Sequence, residues 1–388
     1  MQVGKILIAA LALSAAGGAA AQPPAPFNRQ AWLDDYGAIK QQLARYYANL
    51  DSRLAALRVN PARLDKQMIA RLEAAHSDLQ AYDSLRDLIE LFDDKHLKFE
   101  FEAPIAASSS SADAEAVTVG DCAAGGYKDG AAEFAPLVTD LAGWRSIGSG
   151  PFPHGVAGNI GIVRVPSFFE GHYGAVCRRV FRAGLSEDDL KLTTRAALLG
   201  DLADAIAALK AAGAKSLVID LTGNGGGTEW DVDAAALFTA KTLRRSEPKI
   251  ADAPCDRSGL WAGRRDCEVF VGQAEMTTVQ GKGNWTGPLV LLADWRTASA
   301  SEEFIGWLVD NKAARLIGET TMGAGCGYVD GAHPLRLKAA PVTLLIPNCA
   351  RFSARGVNEI EGCTPDVAIP AEQWNSAGLA AAIAKATG

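Results

Sequence analysis

Apolar residues near the start of the chain recur every three or four positions, which is the spacing of one helix face. A second helical pattern begins at Pro61, because proline is favoured in the first turn of a helix. The stretch "SLRDLIELF" gives a third pattern. We therefore predict an N-terminal helical domain over residues 22–95. The apolar positions of the first pattern are Trp32, Tyr36, Ile39, Leu43, Tyr46 and Leu50.

The period changes at "DDKHLKFEFEAP", where apolar and polar residues begin to alternate. A strand is therefore predicted to begin near Leu97. The serine run 108–111, with alanine on both sides, is typical of an exposed linker or loop. We predict that residues 96–157 form a β extension or linker between the helical domain and the rest of the chain.

From residue 158 onward, short apolar segments alternate with a helical pattern. Such alternation predicts an α/β fold with a largely parallel sheet, so residues 158–388 are expected to form an α/β core. The helical pattern is amphipathic, covers residues 198–213 and ends at a glycine. The predicted strands are 158–168, 215–221, 288–294, "ARLIGE" and "PVTLLIP".

Composition and the N-terminus narrow the class of protein. The chain has 388 residues, of which 48% are hydrophobic and 21% charged, with a formal net charge of -7. An acidic balance argues against a nucleic-acid partner, because phosphate binding needs a basic face. Residues 1–21 resemble a secretory signal peptide cleaved after Ala21, and the apolar run 6–13 is too short to span a membrane. We expect an exported protein, periplasmic or secreted, without a stable membrane span.

Export would place the seven cysteines in an oxidising compartment, where disulfides persist. Cys255 and Cys267 flank a charged loop, and Cys326 and Cys349 bracket a predicted hairpin, so each pair is a candidate disulfide. An odd number leaves one cysteine without an internal partner. The sequence contains no Cys-x-x-Cys pair of the kind that binds zinc, and neither a metal nor a cofactor is predicted.

Two stretches are candidates for chemistry, and each follows a predicted buried strand. "IDLTGNGGGTEW" places a glycine turn at 223–227, which can present backbone N–H groups to an anion or serve only as a flexible turn. "DWRTASASEEF" places hydroxyl residues at the start of a helix. A serine there can act as a nucleophile beside the positive end of the helix, or it can simply cap the helix, as Ser299 with Glu302 would.

A serine nucleophile also needs a base. The chain has five histidines, and a lone histidine is more often structural than catalytic. His96 is set apart by its position at the change from helical to alternating pattern.

Four segments occur in one order: "DDKHLKF", "VIDLTGNGGG", "TASASEEF" and "NEIEGCTPDVAIP". Together they resemble the tail-specific, or C-terminal-processing, serine peptidase superfamily, which includes the tricorn protease core. The resemblance covers about residues 90–370 and implies a crotonase-like α/β core with helical and β additions. Many members insert a PDZ domain before the core, but residues 100–157 show no clear sequence for one.

The resemblance implies a nucleophile at Ser299, the middle serine of the hydroxyl tract. One branch of the superfamily uses a lysine base about 25 residues later, but Ala324 occupies that position here. The tricorn-like branch uses an early histidine and a late glutamate instead. These match His96 and Glu359, with Glu361 as the close competitor for the glutamate position.

The same resemblance implies oxyanion donors at the backbone N–H of Gly226, or Gly225, and of Ala300. In many relatives Asp-x-Arg precedes the glycine turn. Here Asp220 is kept, but Thr222 replaces the arginine, which leaves the contact of that arginine open.

These observations predict a serine-type peptidase that hydrolyses polypeptides with Ser299, His96 and Glu359. A non-catalytic binder of apolar ligands or peptides is the alternative, since the superfamily includes retinoid-binding modules. An esterase or amidase acting on small substrates is a third possibility, because the same triad performs other acyl transfers. The sequence leaves the substrate sequence and the oligomeric state open.

Overall fold

The computed structural model describes residues 26–101, 118–130, 132–228, 230–251, 255–264, 267, 269–270, 275–329 and 333–387. The predicted signal peptide at 1–21 and the serine run at 108–111 lie outside the described residues.

The first part of the chain is helical where the periodicity predicts it. Three helices begin at side-chain caps: Asn28 accepts from Ala31 N–H, Asn60 precedes the helix that starts at proline, and Ser77 accepts from Gln80 N–H. The helices are α1 (Arg29–Tyr46), α2 (Leu50–Ala56), α3 (Pro61–Glu73) and α4 (Asp78–Leu91).

The apolar faces of these helices share a core with residues from much later in the chain. Trp261, Leu337, Val342 and Leu344 pack into the same buried cluster as the helices. A three-stranded antiparallel sheet covers the cluster, with β12 (Val342–Leu345) between β1 (Lys98–Phe101) and β11 (Leu335–Arg336). The strand predicted near Leu97 is therefore β1, and its pairing fixes the position of the neighbouring His96.

The largest sheet has seven strands in the order β14-β10-β9-β5-β4-β3-β2. The first five in that order are parallel, and β3 and β2 are added antiparallel at one edge. Their bounds are β2 (Trp144–Gly148), β3 (His154–Ala157), β4 (Ile160–Arg164), β5 (Ser216–Asp220), β9 (Leu289–Ala293), β10 (Arg315–Gly318) and β14 (Val367–Ala368). The fold is therefore mixed α/β, and four of the predicted strands are confirmed in the parallel part of the sheet as β4, β5, β9 and β10. The fifth, "PVTLLIP", is instead β12 of the three-stranded antiparallel sheet.

Helices cover both faces of this sheet. One face packs against α6 (Gly174–Val180), α7 (Glu187–Ala211), α8 (Trp230–Leu237) and α9 (Ala300–Val309). The opposite face packs against α5 (Pro136–Thr139) and α10 (Ser376–Thr387). Neighbouring residues of one strand, such as Ile162 and Val163 of β4, belong to different cores. Burial on both faces explains why these strands are continuous apolar runs.

Two small antiparallel pairs complete the described strands: β6 (Thr242–Ser246) with β8 (Met276–Gln280), and β7 (Lys249–Ile250) with β13 (Cys349–Ala350). Short 3-10 helices occur at Glu170–His172, Ser258–Ala262, Glu359–Glu361 and Ala371–Gln373. In the part of the chain that the structure describes, no helix is long and apolar enough to cross a membrane.

Three disulfides link six of the cysteines. Cys255–Cys267 and Cys326–Cys349 are the two pairs that the sequence predicts. Cys122–Cys177 is the third, and no feature of the sequence singles out this pair. Cys363 is left as a free thiol.

Candidate active site

Ser299 occupies the tight turn between β9 and α9. Its backbone has φ 55° and ψ -119°, a conformation that non-glycine residues rarely adopt and that the surroundings must stabilise. The Asp294 carboxylate fixes the turn, accepting from the N–H of Gly223 at 2.8 Å and the N–H of Arg296 at 3.1 Å. Ser299 is thereby presented at the N-terminus of α9, where the helix dipole favours negative charge.

Glu302 is a buried carboxylate that ties this turn to a neighbouring loop. It accepts from the N–H of Ser299 at 2.9 Å and from the Thr321 hydroxyl at 2.5 Å. It also accepts from three successive N–H groups at 2.7–3.1 Å, those of Gly323, Ala324 and Gly325. With its lone pairs used in this way, Glu302 holds the loop 321–325 against the turn that carries Ser299.

The glycine turn lies directly beside Ser299. A Cβ added to Gly226 would lie 2.8 Å from Ser299 Cβ and 2.8 Å from Ala300 N, so only glycine fits there. The N–H of Gly226 already donates to Asn224 Oδ1 at 2.9 Å. Among the described residues, the N–H groups of Gly225 and Ala300 have no hydrogen-bond partner. Ala300 is thus available as an oxyanion donor, while the choice between Gly226 and Gly225 stays a prediction.

An arginine from a neighbouring strand contacts both Asp220 and Thr222, the residue that stands where many relatives have the arginine of Asp-x-Arg. Arg164 at the end of β4 donates to the Asp220 carboxylate at 2.8 Å and to the Thr222 hydroxyl at 3.1 Å. Thr222 also donates to Asp220, at 2.7 Å from its hydroxyl and 2.9 Å from its N–H. These hydrogen bonds stabilise the end of β5 before the glycine turn.

His96 reaches the same loop from the helical side of the molecule. Its Nδ1 lies 3.0 Å from the carbonyl oxygen of Ala324. Because a carbonyl only accepts, Nδ1 carries the proton, which leaves Nε2 as the basic nitrogen when the ring is neutral. The ring lies against Gly327, and the Cys326–Cys349 disulfide anchors this part of the loop.

Glu359 is buried among arginines rather than against the imidazole. Its carboxylate accepts from Arg351 Nε at 2.8 Å and forms an ion pair with Arg245. Arg351 also pairs with Glu303 and reaches the carbonyl oxygens of Ser299 at 3.4 Å and Gly325 at 3.2 Å. Arg351 thus connects Glu359 to the turn that carries Ser299. The competitor Glu361 lies at the surface and makes only a 3.9 Å ion pair with Arg53.

Ser299, His96 and Glu359 therefore meet around the loop 321–327, but no hydrogen bond joins the three side chains to one another. Sequence reasoning missed Arg351 and Arg164, because an isolated arginine gives no indication that it is buried. In the residues that the structure covers, no group of acidic, histidine or cysteine side chains is arranged to bind a metal ion.

Known proteins share both sequence and fold with this chain. Over 86 residues it is 37% identical to the carboxyl-terminal-processing protease of a Synechocystis species, a match that spans 21% of this chain and only 20% of that relative. A putative peptidase from Parabacteroides merdae superposes with a TM-score of 0.56 at 15% identity, covering 92% of this chain and 97% of its own. Mature CPAF superposes with a TM-score of 0.62 at 13% identity, covering 92% and 96% respectively.

These two structures show a common fold. The sequence profile of peptidase family S41 matches residues 159–369, more than half of the chain and the region that contains β4 to β14, the glycine turn, Ser299 and Glu359. The chain belongs to peptidase family S41.

Proposed function

We propose that this protein is a serine peptidase that hydrolyses peptide bonds in polypeptides. The observation that carries the proposal is the backbone of Ser299, which is held in a strained conformation at the start of α9 against the glycine turn. Such strain is maintained only where the surroundings over-determine it. Membership of peptidase family S41 supports the same activity.

In this mechanism the Ser299 hydroxyl attacks the carbonyl carbon of the peptide bond, and His96 Nε2 takes the hydroxyl proton. The imidazolium then gives that proton to the leaving amine, and water releases the acyl group by the reverse sequence. The N–H of Ala300, with one N–H of the glycine turn, stabilises the oxyanion. Losing one such donor typically lowers the rate by about 10²–10³.

In this proposal Glu359 acts through Arg351 rather than directly on the His96 imidazole. Its contacts are with Arg351 and Arg245, so it sets the position of the Arg351 guanidinium. Arg351 in turn contacts the carbonyl oxygens of Ser299 and Gly325. Glu359 thus supports the nucleophile turn through Arg351, as a positioning residue.

We further propose that residues 158–388 form a crotonase-like core, that residues 22–95 form a helical domain, and that the protein is exported to the periplasm or secreted. The sequence of residues 1–21 and the three disulfides support export, because disulfides persist in oxidising compartments. Fractionation of cells that express the full chain tests this, and a purely cytoplasmic, uncleaved protein would contradict it.

A serine-directed fluorophosphonate tests the activity. We expect it to label the wild type and Ser301→Ala, whose hydroxyl is buried two residues away, but not Ser299→Ala. His96→Ala should slow labelling, because the base is lost. Absence of labelling of the wild type, together with unchanged peptide hydrolysis by Ser299→Ala, would refute the proposal.

A non-catalytic peptide binder is the second candidate. One observation favours it: no hydrogen bond joins His96 to Ser299 in the described residues. Active sites without substrate often have loose catalytic hydrogen bonds, so this geometry does not decide against catalysis. A binder would retain peptide affinity in both Ser299→Ala and His96→Ala and would release no cleaved product.

A further inference from the structure

A cavity of about 460 Å³ lies beyond the glycine turn from Ser299. Its volume is within the range of small-ligand sites, roughly 300–1,000 Å³. Its walls are mostly apolar, and the catalytic mechanism uses none of them. The lining includes Pro151, Pro166, Ser167, His172, Tyr173 and Val176.

The cavity shares a wall with the nucleophile region. The segment that follows β4 contacts Gly226 O twice: Phe168 N–H donates to it at 2.9 Å, and the Ser167 hydroxyl oxygen lies 3.5 Å from it. Gly226 itself is the residue packed against Ser299. Gly226 therefore connects the wall of the cavity to the turn that carries Ser299.

The wall is also rigid, as a binding site requires. The Tyr173 hydroxyl donates to Ser167 O at 2.6 Å, and Trp230 Nε1 donates to Phe168 O at 2.5 Å. On the opposite side, the N–H groups of Lys128 and Gly130 bond to the segment 171–172 at 2.8 Å each. The Cys122–Cys177 disulfide fastens that side to α6.

One polar pair faces the cavity. His172 Nδ1 lies 3.0 Å from the Ser167 hydroxyl oxygen, which also accepts from Phe169 N–H at 3.0 Å. His172 Nδ1 is the nearest acceptor for the proton of the Ser167 hydroxyl, so the hydroxyl donates to Nδ1. The proton of the neutral ring is then on Nε2. Burial and the positive charge of Lys128 lower the pKa of His172, in agreement with a neutral ring. Nε2–H has no partner among the described residues and is left as a donor.

Among the described residues that line this cavity, Asp129 has the one charged side chain. The Asp129 carboxylate at its edge is paired with Arg178 at 2.7 Å and accepts from Ala175 N–H at 2.7 Å. A charged ligand group would therefore lose its hydration without gaining an opposite charge, which is strongly unfavourable. The cavity thus suits a group that is apolar and uncharged.

Building on the proposed function, we propose that this cavity binds an uncharged side chain of the polypeptide, next to the bond that Ser299 attacks, and that His172 donates a hydrogen bond to that residue. Ser167 is a positioning residue in this proposal, because its hydroxyl fixes the orientation of the imidazole.

The test uses binding, so that it does not depend on catalysis. In full-length Ser299→Ala protein, the affinity for short fluorescent peptides is measured while one position is varied among leucine, glutamine, aspartate and lysine. We expect leucine and glutamine to bind at least about tenfold more tightly than either charged residue. Equal affinity for all four, or no binding of any peptide, would overturn the proposal.

Two sets of variants locate the effect. Ala175→Trp fills the cavity from an exposed position of α6 and should weaken leucine peptides by at least about tenfold. Ala207→Trp, at an exposed position of α7 that does not line the cavity, is the matched control and should change nothing. His172→Phe should reduce affinity for glutamine peptides about three- to tenfold, whereas His172→Gln, which keeps an N–H donor, should retain most of it. Unchanged affinity in Ala175→Trp would refute the cavity as the site.

Failure of this inference is distinguishable from failure of the proposed function. Fluorophosphonate labelling of the wild type reports on the nucleophile alone. Labelling with no effect of Ala175→Trp on peptide affinity would leave the peptidase and remove the cavity as its subsite. Peptide selection without labelling would leave the cavity as a binding site and remove the peptidase.

Discussion

Replacing Arg351 by methionine tests the proposed support of the nucleophile turn. The Arg351 side chain is 7% exposed, and its guanidinium pairs with Glu359, which is 5% exposed, and with Glu303, which is 21% exposed. Methionine keeps much of the apolar length but removes the charge and every donor. Two carboxylates then lose a partner in a largely buried space, and the carbonyl oxygens of Ser299 and Gly325 each lose a hydrogen bond.

Breaking a buried ion pair by removing one partner costs about 3–5 kcal/mol, because it leaves an uncompensated buried charge. The two carbonyl contacts are long and add little. We therefore expect the free energy of unfolding to fall by about 3–5 kcal/mol in Arg351→Met, measured by urea denaturation with tryptophan fluorescence. Fluorophosphonate labelling of the folded variant should also slow, since the turn at Ser299 is less restrained.

Arg71→Met is the matched control. Arg71 forms a 2.5 Å ion pair with Asp87, and both side chains are nearly half exposed, at 46% and 45%. Exposed pairs contribute about 0–1 kcal/mol, so this variant should be almost neutral. Adding Glu359→Gln to Arg351→Met should cost less than the sum of the two single changes, because they share one network. A loss in Arg351→Met no larger than that in Arg71→Met would refute the reasoning.

Three further predictions concern packing, the site loop and alkaline pH. An added Cβ at Gly306 would lie 1.4 Å from Arg245 Nη1, so Gly306→Ala should lower the free energy of unfolding by about 1–3 kcal/mol. Gly200→Ala, whose added Cβ meets nothing within 4 Å, is the control and should not lower that free energy. Equal effects of the two substitutions would contradict the crowding at Gly306. Replacing both cysteines of Cys326–Cys349 by serine opens a loop with a sequence separation of 23 and should lower that free energy by about 3 kcal/mol, whereas a loss under about 1 kcal/mol would contradict the estimate. Burial, with the nearby negative Glu302, raises the pKa of Cys363 to about 12. Above about pH 8.5 the unfolded chain loses this thiol proton while the folded chain keeps it, so stability falls as pH rises. Cys363→Ala should show a smaller fall between about pH 8 and pH 10, and an unchanged slope would contradict the assignment.

The helices and strands of this protein follow largely from local patterns in its sequence. Helical spacing located α1, and continuous apolar runs located β5 and β9, because those patterns follow from burying one helix face or both strand faces. The hydroxyl tract and the glycine turn were recognisable because each follows a buried strand. Cys255–Cys267 and Cys326–Cys349 were predictable because each pair brackets a short segment.

The contacts between these elements depend on the tertiary structure. The sequence predicted a helical domain over residues 22–95 but did not indicate that its core is shared with β11 and β12, about 300 residues later, because no local pattern shows which surface covers an amphipathic helix. Arg164 pairs with Asp220 only because β4 lies beside β5. Likewise, the position of Glu359 depends on Arg351 and Arg245, two buried cations whose ion pairs are formed only when distant segments pack together. The spacing of apolar residues reflects which side of each segment is buried in the core. Ion pairs between distant segments depend on distances that only the folded chain establishes.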